Sequence, residues 1–385
     1  YAQQGKGEIA IKVFKKMLRN RVRSNEVTLV SILDACANES DAMMGDAVFD
    51  SIINTGYELD VILGTALVNM YGRCGSSIAE AEHVFNTLLH NDIVSWNAML
   101  LAYVEQGEGQ KALQLYMHIQ ENGMSPDKLT TIFGLQACST ITMEREESEL
   151  FVAQEIGKSL HIDSCKKGFE IDDFLGCSLV KMYGKTNAIT EAESVFGALS
   201  HHDVASWNTM LSVYVELMQS QDLSLTLCFG HRALCLYRQM ERDCTGLDPL
   251  TYVLALQACT ILVLEDGFIE GQSINILALE IGRALHSDAR RKGFSYHAFV
   301  GNILISFYGR HGSIGEAEDV FLSLLQRDGS SWTSILSLYV EQGLAERGLQ
   351  LYTRMIKDGV RADGWTFVVL FQACGAISRK EQSSV

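Results

Sequence analysis

The nine residues DIVSWNAML, numbers 92–100, return as DVASWNTML at 203–211 and, with more substitutions, as DGSSWTSIL at 328–336. Each copy sets an aspartate before a run of helical apolar period and a polar residue directly after a tryptophan. Aspartate in that place is a helix N-cap, because its carboxylate accepts from backbone amides that lack a partner in the first turn. The tryptophan supplies apolar surface to a core. A core has no need of the polar neighbour, so its recurrence asks for a separate reason.

Outward from Trp96, Trp207 and Trp332, which lie 111 and 125 residues apart, three kinds of unit alternate. One begins SWNAMLLAYVEQG and runs into EGQKALQLYMHIQENGMSPD. A second begins KLTTIFGLQACS. A third begins VILGTALVNMYGRCGSS and continues as AEAEHVFNTLLHND, with echoes in CSLVKMYGKTNAITEAESVF and NILISFYGRHGSIGEAEDVF. Uninterrupted copies span about 31 to 35 residues, and each reads as two helices joined by a Gly-containing turn. Nine complete units fit between residues 26 and 363, with a partial one at either end. A helix pair this small cannot bury its apolar face alone, so neighbours must stack. The expected fold is an all-α solenoid of stacked helix-turn-helix repeats, with a concave surface made from one helix of every pair.

Composition agrees. Of 385 residues 47% are hydrophobic and only two are proline, Pro126 and Pro249. Apolar residues recur at helical spacing, as in Ala112, Leu113, Leu115, Tyr116 and Ile119. The longest apolar runs fall short of the roughly 20 residues that cross a bilayer, so no membrane contact is expected. The chain opens at Tyr1 with neither a secretory signal nor an Arg-rich transit segment, and both ends cut through a repeat. We read it as a fragment.

The ten cysteines form no CxxC pair and no zinc-spaced Cys/His cluster. Cys36, Cys138, Cys259 and Cys374 share one slot in DAC or QAC, which marks a small packing residue; a reducing compartment fits. Some units are longer. Cys36 to Gly45 is nine residues, but Cys138 to Gly157 is nineteen and Cys259 to Gly282 twenty-three. Trp96 to Ala112 is sixteen, and Trp207 to Ala233 twenty-six. The additions, near 143–152, 217–227 and 263–276, fall between helices and are expected as surface loops, although several are apolar for that role.

The motifs SWNxM(L), YVEQG, ALQLY, NGMSPD, the QACS helix, and MYGRCGS followed by AEAEHVF resemble the plant pentatricopeptide repeat family. The alternating units resemble its P, L and S variants, the PLS class. The W-LG-Y-A-F-P spacing of tetratricopeptide repeats is absent. The resemblance implies a right-handed superhelix forming a single array. It reads as a partial P unit at 1–25, then L 26–60, S 61–92, P 93–127, L 128–172, S 173–203, P 204–248, L 249–297, S 298–328 and P 329–363, and a partial L unit at 364–385.

It also implies sequence-specific binding of single-stranded RNA, one base per repeat, and in this class the choice of a cytidine for C-to-U editing in chloroplast or mitochondrial transcripts. The family reads bases with the residue after the tryptophan slot and the last residue of the same unit. Asn97/Asp127, Asn208/Asp248 and Asn302/Asp328 then imply uridine, with cytidine second. Thr65/Asp92 and Thr333/Asp363 imply guanine. Cys177/Asp203 departs from the code and stays unread, and Val30, Ile132 and Val253 make the L units spacers. The track is ?-G-U-?-?-U-?-U-G. Aliphatic clamps two residues before the tryptophan slot are Ile62, Val94 and Phe299, whereas Ala205 and Ser330 offer little surface. Arg73, Lys185 and Arg310, in YG[RK], would meet phosphate.

Bottom-up arguments stand beside these. Successive helical residues turn about 100° apart, so if Trp96 enters the core, Asn97 is expected to look along the groove, its amide open to a base edge. Capping alone would explain Asp92, Asp203 and Asp328. Arg73, Lys185 and Arg310 also suit a solvated helix C-terminus. The net charge of −16, and Glu105, Glu216 and Glu341 in the P units, predict modest affinity with a shallow salt dependence. Neither HxE nor CxxC occurs, nor a Walker loop or G-x-S-x-G elbow. No catalysis, metal or cofactor is therefore expected of this chain; it reads as the targeting part of a longer chain that ends in an editing domain, or as an array that recruits editing factors or a deaminase in trans. His161 and His286, in KSLH and RALH, read as structural. A monomer is expected. A protein-binding α-solenoid, favoured by the acidity, and an array broken by its insertions both stay open.

Overall fold

The computed structural model describes the chain apart from residues 1–6, 21, 23, 56–58, 76–77, 89, 142–146, 170–171, 220–221, 244–245, 263–267, 270–271 and 383–385. For 54–55, 147–149, 223, 268–269, 272–275 and 378–382 it describes the backbone only. Two compact units result, Tyr1–His201 and His202–Val385.

The first unit holds α1 (Gly7–Arg19), α2 (Glu26–Glu39), α3 (Ala42–Thr55), α4 (Val61–Cys74), α5 (Ile78–Thr87) and α6 (Ile93–Glu105), then α7 (Gly109–Glu121), α8 (Lys128–Thr140), α9 (Glu147–Lys166), α10 (Asp173–Lys185) and α11 (Ile189–Ala198). The second holds α12 (Val204–Leu217), α13 (Leu223–Arg242) and α14 (Pro249–Leu262), a short ladder of β1 (Phe268–Ile269) on β2 (Gln272–Ser273), and α15 (Ile274–Arg291). After these come α16 (Ala298–Arg310), α17 (Ile314–Ser323), α18 (Gly329–Glu341), α19 (Ala345–Lys357) and α20 (Gly364–Gln382).

Helices alternate in role. In the first unit α2, α4, α6, α8 and α10 pack each on the next, while α3, α5, α7, α9 and α11 cover them on the other side. In the second, α12, α14, α16, α18 and α20 form the inner row. Each unit is thus an α-solenoid.

Carboxylates start every inner helix but α2, capped by Asn25, and α16, which His297 precedes without a side-chain cap. Asp60, Asp92, Asp127, Asp172, Asp203, Asp248, Asp328 and Asp363 each accept from the backbone amide three residues on, at 2.7–3.1 Å. Such a cap is worth about 1 kcal/mol. Tyrosines tie inner helices to the outer helix before them: Tyr71 to Asp46 at 2.9 Å and Tyr103 to Glu82 at 3.0 Å. The glutamine of YVEQG donates backward, Gln106 to the Gly72 carbonyl at 2.6 Å and Gln342 to that of Gly309 at 3.1 Å, satisfying the open end of the preceding inner helix. The motif therefore recurs for a packing reason.

At the turns Gly75, Gly107, Gly312 and Gly343 have φ between 64° and 75°, a region that costs residues with a Cβ. The turn after α10 lacks a glycine in that place, and Asn187 takes the left-handed conformation at φ 59°. Cys36, Cys138 and Cys259 are fully buried, and burial pushes their thiols up to about 12, so they pack rather than react. Cys374 in the same slot is exposed on α20.

The insertions are not the surface loops expected. Residues 142–146, 220–221, 263–267 and 270–271 lie outside the described residues, but 147–152 and 223–227 belong to α9 and α13, and 268–269 and 272–273 form the short ladder before α15 begins at Ile274. The outer helices α9 and α13 have 20 residues and α15 has 18, against 13 in α7 and α19. An apolar insertion gains from this, because a helix satisfies its own backbone while one face stays in contact with the row beneath. Just beyond the added stretches Phe229 and Ala278 are buried, while Phe151, Val152, Leu225 and Ile276 within them are exposed.

A Cβ at Gly72 would stand 2.6 Å from Ala102 Cβ and 2.9 Å from its Cα. Backbone cannot yield as a long side chain can, so Gly72→Ala is expected to destabilise by about 1–3 kcal/mol. At Gly315 a Cβ meets nothing within 4 Å, and Gly315→Ala should be neutral or stabilising by up to ~1 kcal/mol. Urea unfolding of the two variants checks both.

Candidate nucleic-acid interface

Because each cap fixes where an inner helix begins, it also fixes which of its residues face outward. The second helical residue is exposed in every inner helix. In the first unit these residues are Val27, Ile62, Val94, Leu129 and Phe174, and in the second Ala205, Leu250, Phe299, Ser330 and Trp365. The eight large apolar ones are 41–79% exposed. Ile62, Val94 and Phe299 were the clamps expected. Val27, Leu129, Phe174, Leu250 and Trp365 were missed, although counting two residues on from each cap finds them.

The fifth residue of an inner helix, three after the exposed one, lies on the same face but deeper. Asn97 and Asn208 are 7% and 5% exposed, which corrects the expectation of amides open to a groove. Asn97 Nδ2 donates to Asp127 Oδ1 and Oδ2 at 3.3 and 3.4 Å, and its Oδ1 lies 2.8 Å from the Thr130 hydroxyl. Asn208 Nδ2 donates to Asp248 Oδ1 at 3.0 Å, and its Oδ1 accepts from Thr251 at 2.8 Å. The reason is electrostatic: the cap of the next inner helix is an ionised acceptor, and a charge-assisted bond draws the amide onto it. Burial raises the Asp127 carboxyl, but bonds from the Thr130 amide and hydroxyl and the Asn97 amide outweigh that and hold it below the usual aspartate range. Each acid caps and pairs at once.

Other pairs differ. Asn302 is half-buried, and its Oδ1 is buried without a hydrogen-bond partner. The hydroxyl that could reach it, on Ser331, lies instead 2.7 Å from Asp328 Oδ1. Thr65 Oγ1 is likewise buried without a partner, and Asp92 caps Ser95. Thr333 donates to the Gly329 carbonyl at 2.9 Å and sits 2.9 Å from the Thr366 hydroxyl, itself 2.6 Å from Asp363 Oδ1. Cys177 is half-buried in the first unit, and Asp203 caps α12 in the second. Ile132 and Val253 are buried.

Basic residues end the inner helices. Arg73 Nε stands 3.9 Å from Glu105 Oε1, and its guanidinium donates to Asn38 Oδ1 at 3.3 Å, so the acid of the next unit partly neutralises it. Lys185 is half-buried and Arg310 exposed. Arg310 borders two cavities of the second unit. One, of about 310 Å³, is lined also by Ser330, Thr333, Glu341, Asp363 and Trp365; the other, of about 220 Å³, by Gln219, Gln257, Thr260 and Ile303.

Among the described residues no group of three or more His, Cys, Asp or Glu could hold a metal ion, and no helix is long and apolar enough to cross a membrane. His161 Nδ1 lies 2.9 Å from the Tyr183 hydroxyl, and His286 Nδ1 2.8 Å from that of Tyr308, each edge-on to the ring.

Capped helix pairs stacked in register, with a buried polar slot beside an exposed apolar residue, define a helical-repeat protein. Sequence models of the PPR repeat match it: the PPR repeat family over residues 91–139, and the PPR repeat over 1–22, 302–328 and 330–360. The chain carries repeats of the pentatricopeptide repeat family at those residues. A chloroplastic pentatricopeptide repeat-containing protein of Arabidopsis thaliana is 29% identical over 382 residues, covering 99% of this chain and 56% of that protein. A mitochondrial one from the same plant is 26% identical over 394 residues, covering 97% and 40%. The chain thus spans about half the length of the relatives it matches. The crystal structure of the pentatricopeptide repeat protein PPR10 in complex with an 18-nt psaJ RNA element shares the fold, at a TM-score of 0.59 and 15% identity, over 98% of this chain and 52% of that one.

Burial lowers the pKa of His161 and of His286 from 6.5, with Arg290 reinforcing and Glu316 opposing the shift at His286. The unfolded chain therefore takes up protons first as pH falls below 6.5, and stability declines over that interval. Thermal melts between pH 7.5 and 5.5 should show the decline, and His161→Gln should shallow it.

Proposed function

We propose that this chain is an RNA-recognition array that binds single-stranded RNA sequence-specifically in a chloroplast or mitochondrion. There it would guide RNA processing, with C-to-U editing-site selection as the finer reading. The observation that carries the proposal is the shared face of residues two and five: exposed Val94 beside tied Asn97, with exposed Ile62 beside Thr65 and exposed Phe299 beside Asn302 at the same places. A base stacked on Val94 lies over Asn97, because residues three apart are neighbours on a helix. After its bonds to Asp127 and Thr130 the Asn97 amide keeps one N–H and one lone pair for a base edge. The fold shared with PPR10, a structure in complex with RNA, supports the reading, and so do relatives named as chloroplastic or mitochondrial. Editing factors or a deaminase would be supplied in trans or by a further part of a longer chain.

The slots specify the track ?-G-U-?-?-U-?-U-G. Arg73, Lys185 and Arg310 serve as phosphate contacts, weakened where an acid stands close. A second reading, a protein-binding solenoid, is favoured by the burial of Asn97 and Asn208, whose amides then act only as ties between repeats.

Fluorescence anisotropy with matched and scrambled RNAs separates the two. The matched RNA should bind more tightly, and Asn97→Thr with Asn208→Thr should move preference from U toward G at two positions by roughly tenfold, the effect of one good hydrogen bond. Equal affinity for matched and scrambled RNA would overturn sequence-specific recognition. Glu105→Gln, which frees Arg73, should tighten binding and steepen the log–log salt dependence by about 0.7, one phosphate on a single strand.

A further inference from the structure

Within each unit the third residue of an inner helix follows the chemistry of the slot one repeat earlier. Polar slots are followed by a hydroxyl: Thr130 after Asn97, Thr251 after Asn208, Thr366 after Thr333, Ser95 after Thr65 and Ser331 after Asn302. Aliphatic slots Val30, Ile132 and Val253 are followed by Leu63, Leu175 and Val300. The capping acid does not share this pattern, since Asp60 and Asp172 cap α4 and α10 where the slot is aliphatic. What tracks the slot is the hydroxyl.

Threonine and serine do different things there. Thr130, Thr251 and Thr366 each place Oγ1 2.8–2.9 Å from the polar atom of the slot. Ser95 turns its hydroxyl to the Asp92 carbonyl at 2.9 Å, and Ser331 to Asp328 Oδ1 at 2.7 Å. Behind these serines Thr65 Oγ1 and Asn302 Oδ1 are buried with no partner. Each threonine hydroxyl also lies 2.6–2.9 Å from its own capping acid, Asp127, Asp248 or Asp363, but a β-branched side chain is stiff at χ1 whereas serine rotates freely, so threonine keeps its hydroxyl within reach of the slot across the repeat junction and serine does not.

We propose that Thr130 and Thr251 are specificity-determining positioning residues, whose hydroxyls fix the orientation of the Asn97 and Asn208 amides and thereby separate uracil from cytosine. The inference rests on the base-reading role proposed above. Uracil presents an N3–H donor beside the O4 acceptor, and cytosine an N3 acceptor beside an N4 amino donor. An amide rotated by half a turn exchanges its N–H and C=O, and with them its preference between the two bases. At Asn97 such a turn sets Oδ1 against the Asp127 carboxylate and removes the bond from Thr130. The amide is therefore held with nitrogen on the acid and oxygen on the hydroxyl. At Asn302 nothing donates to Oδ1, so that slot discriminates poorly.

The test measures affinities of the 385-residue chain for RNAs differing only in U or C at the position facing Asn97 or Asn302. Melting curves of each variant are recorded alongside. Wild type should prefer U more strongly at the Asn97 position than at the Asn302 position. Thr130→Val should lower the U/C ratio at its own position about fivefold, the worth of a typical hydrogen bond, and leave the Asn302 position unchanged. Thr130→Ser should restore the ratio in part. Ser331→Thr should raise it at the Asn302 position, a gain that misfolding cannot imitate. A U/C ratio unmoved by both Thr130→Val and Ser331→Thr, in a chain that does prefer U opposite Asn97, overturns the positioning role alone. No preference at all opposite Asn97 overturns the base-reading role, and the positioning role falls with it.

Discussion

The carboxylate at the start of eight of the inner helices is the interaction on which the rest of the structure depends. By accepting from the amide three residues on, Asp127 sets the first turn of α8, and with it the direction of every later side chain on that helix. The exposed second residue, the third-residue hydroxyl and the fifth-residue slot are all counted from it. The same carboxylate draws in the Asn97 amide from α6, so one group both begins a helix and joins it to the repeat before. Where the slot is aliphatic the acid keeps only its first role, as Asp172 does, and pairs instead with Lys128 at 2.6 Å.

Close approach of the helices makes this junction possible. Gly64, Gly176 and Gly301 lie against Leu88, Leu199 and Leu324, where a Cβ would come within 2.3–2.4 Å of a leucine methyl. Gly45, Gly157 and Gly282 admit Met70, Met182 and Phe307 in the same manner. Side chains at the junction can then reach across it, as the tyrosine–carboxylate and glutamine–carbonyl bonds do. Tight spacing has a consequence for recognition too. It buries Asn97 and Asn208, so each amide sits in a slot already tied on two sides.

Charge and chemistry balance along the inner row. A net charge of −16 would repel a polyanion, yet the acids at junctions are occupied by capping and pairing. Arg310 and Trp365 border a cavity that also contains Thr333 and Asp363, a setting with a stacking surface, hydrogen-bonding groups and one cation. Arg73, in contrast, faces Glu105, which blunts its field.

Much of this was legible in the chain itself. The nine-residue repeat carries cap, tryptophan and slot at fixed spacing, and helical period with turn residues implies stacked pairs whatever the details of packing. Other features were beyond one-dimensional reading. Apolar insertions looked like loops, because only the neighbouring row reveals that their far ends can continue α9, α13 and α15 as helix. Asn97 looked open, because helical rotation gives a direction but not what stands there. Asp127 and Thr130 stand there, 30 and 33 residues further along. The sequence by itself thus determined the period, the helix starts and the identity of each slot, which are local matters of capping and apolar spacing. Tertiary structure alone decided which slots are tied and which are left unpartnered, because a hydrogen bond across a repeat junction depends on how two helices meet.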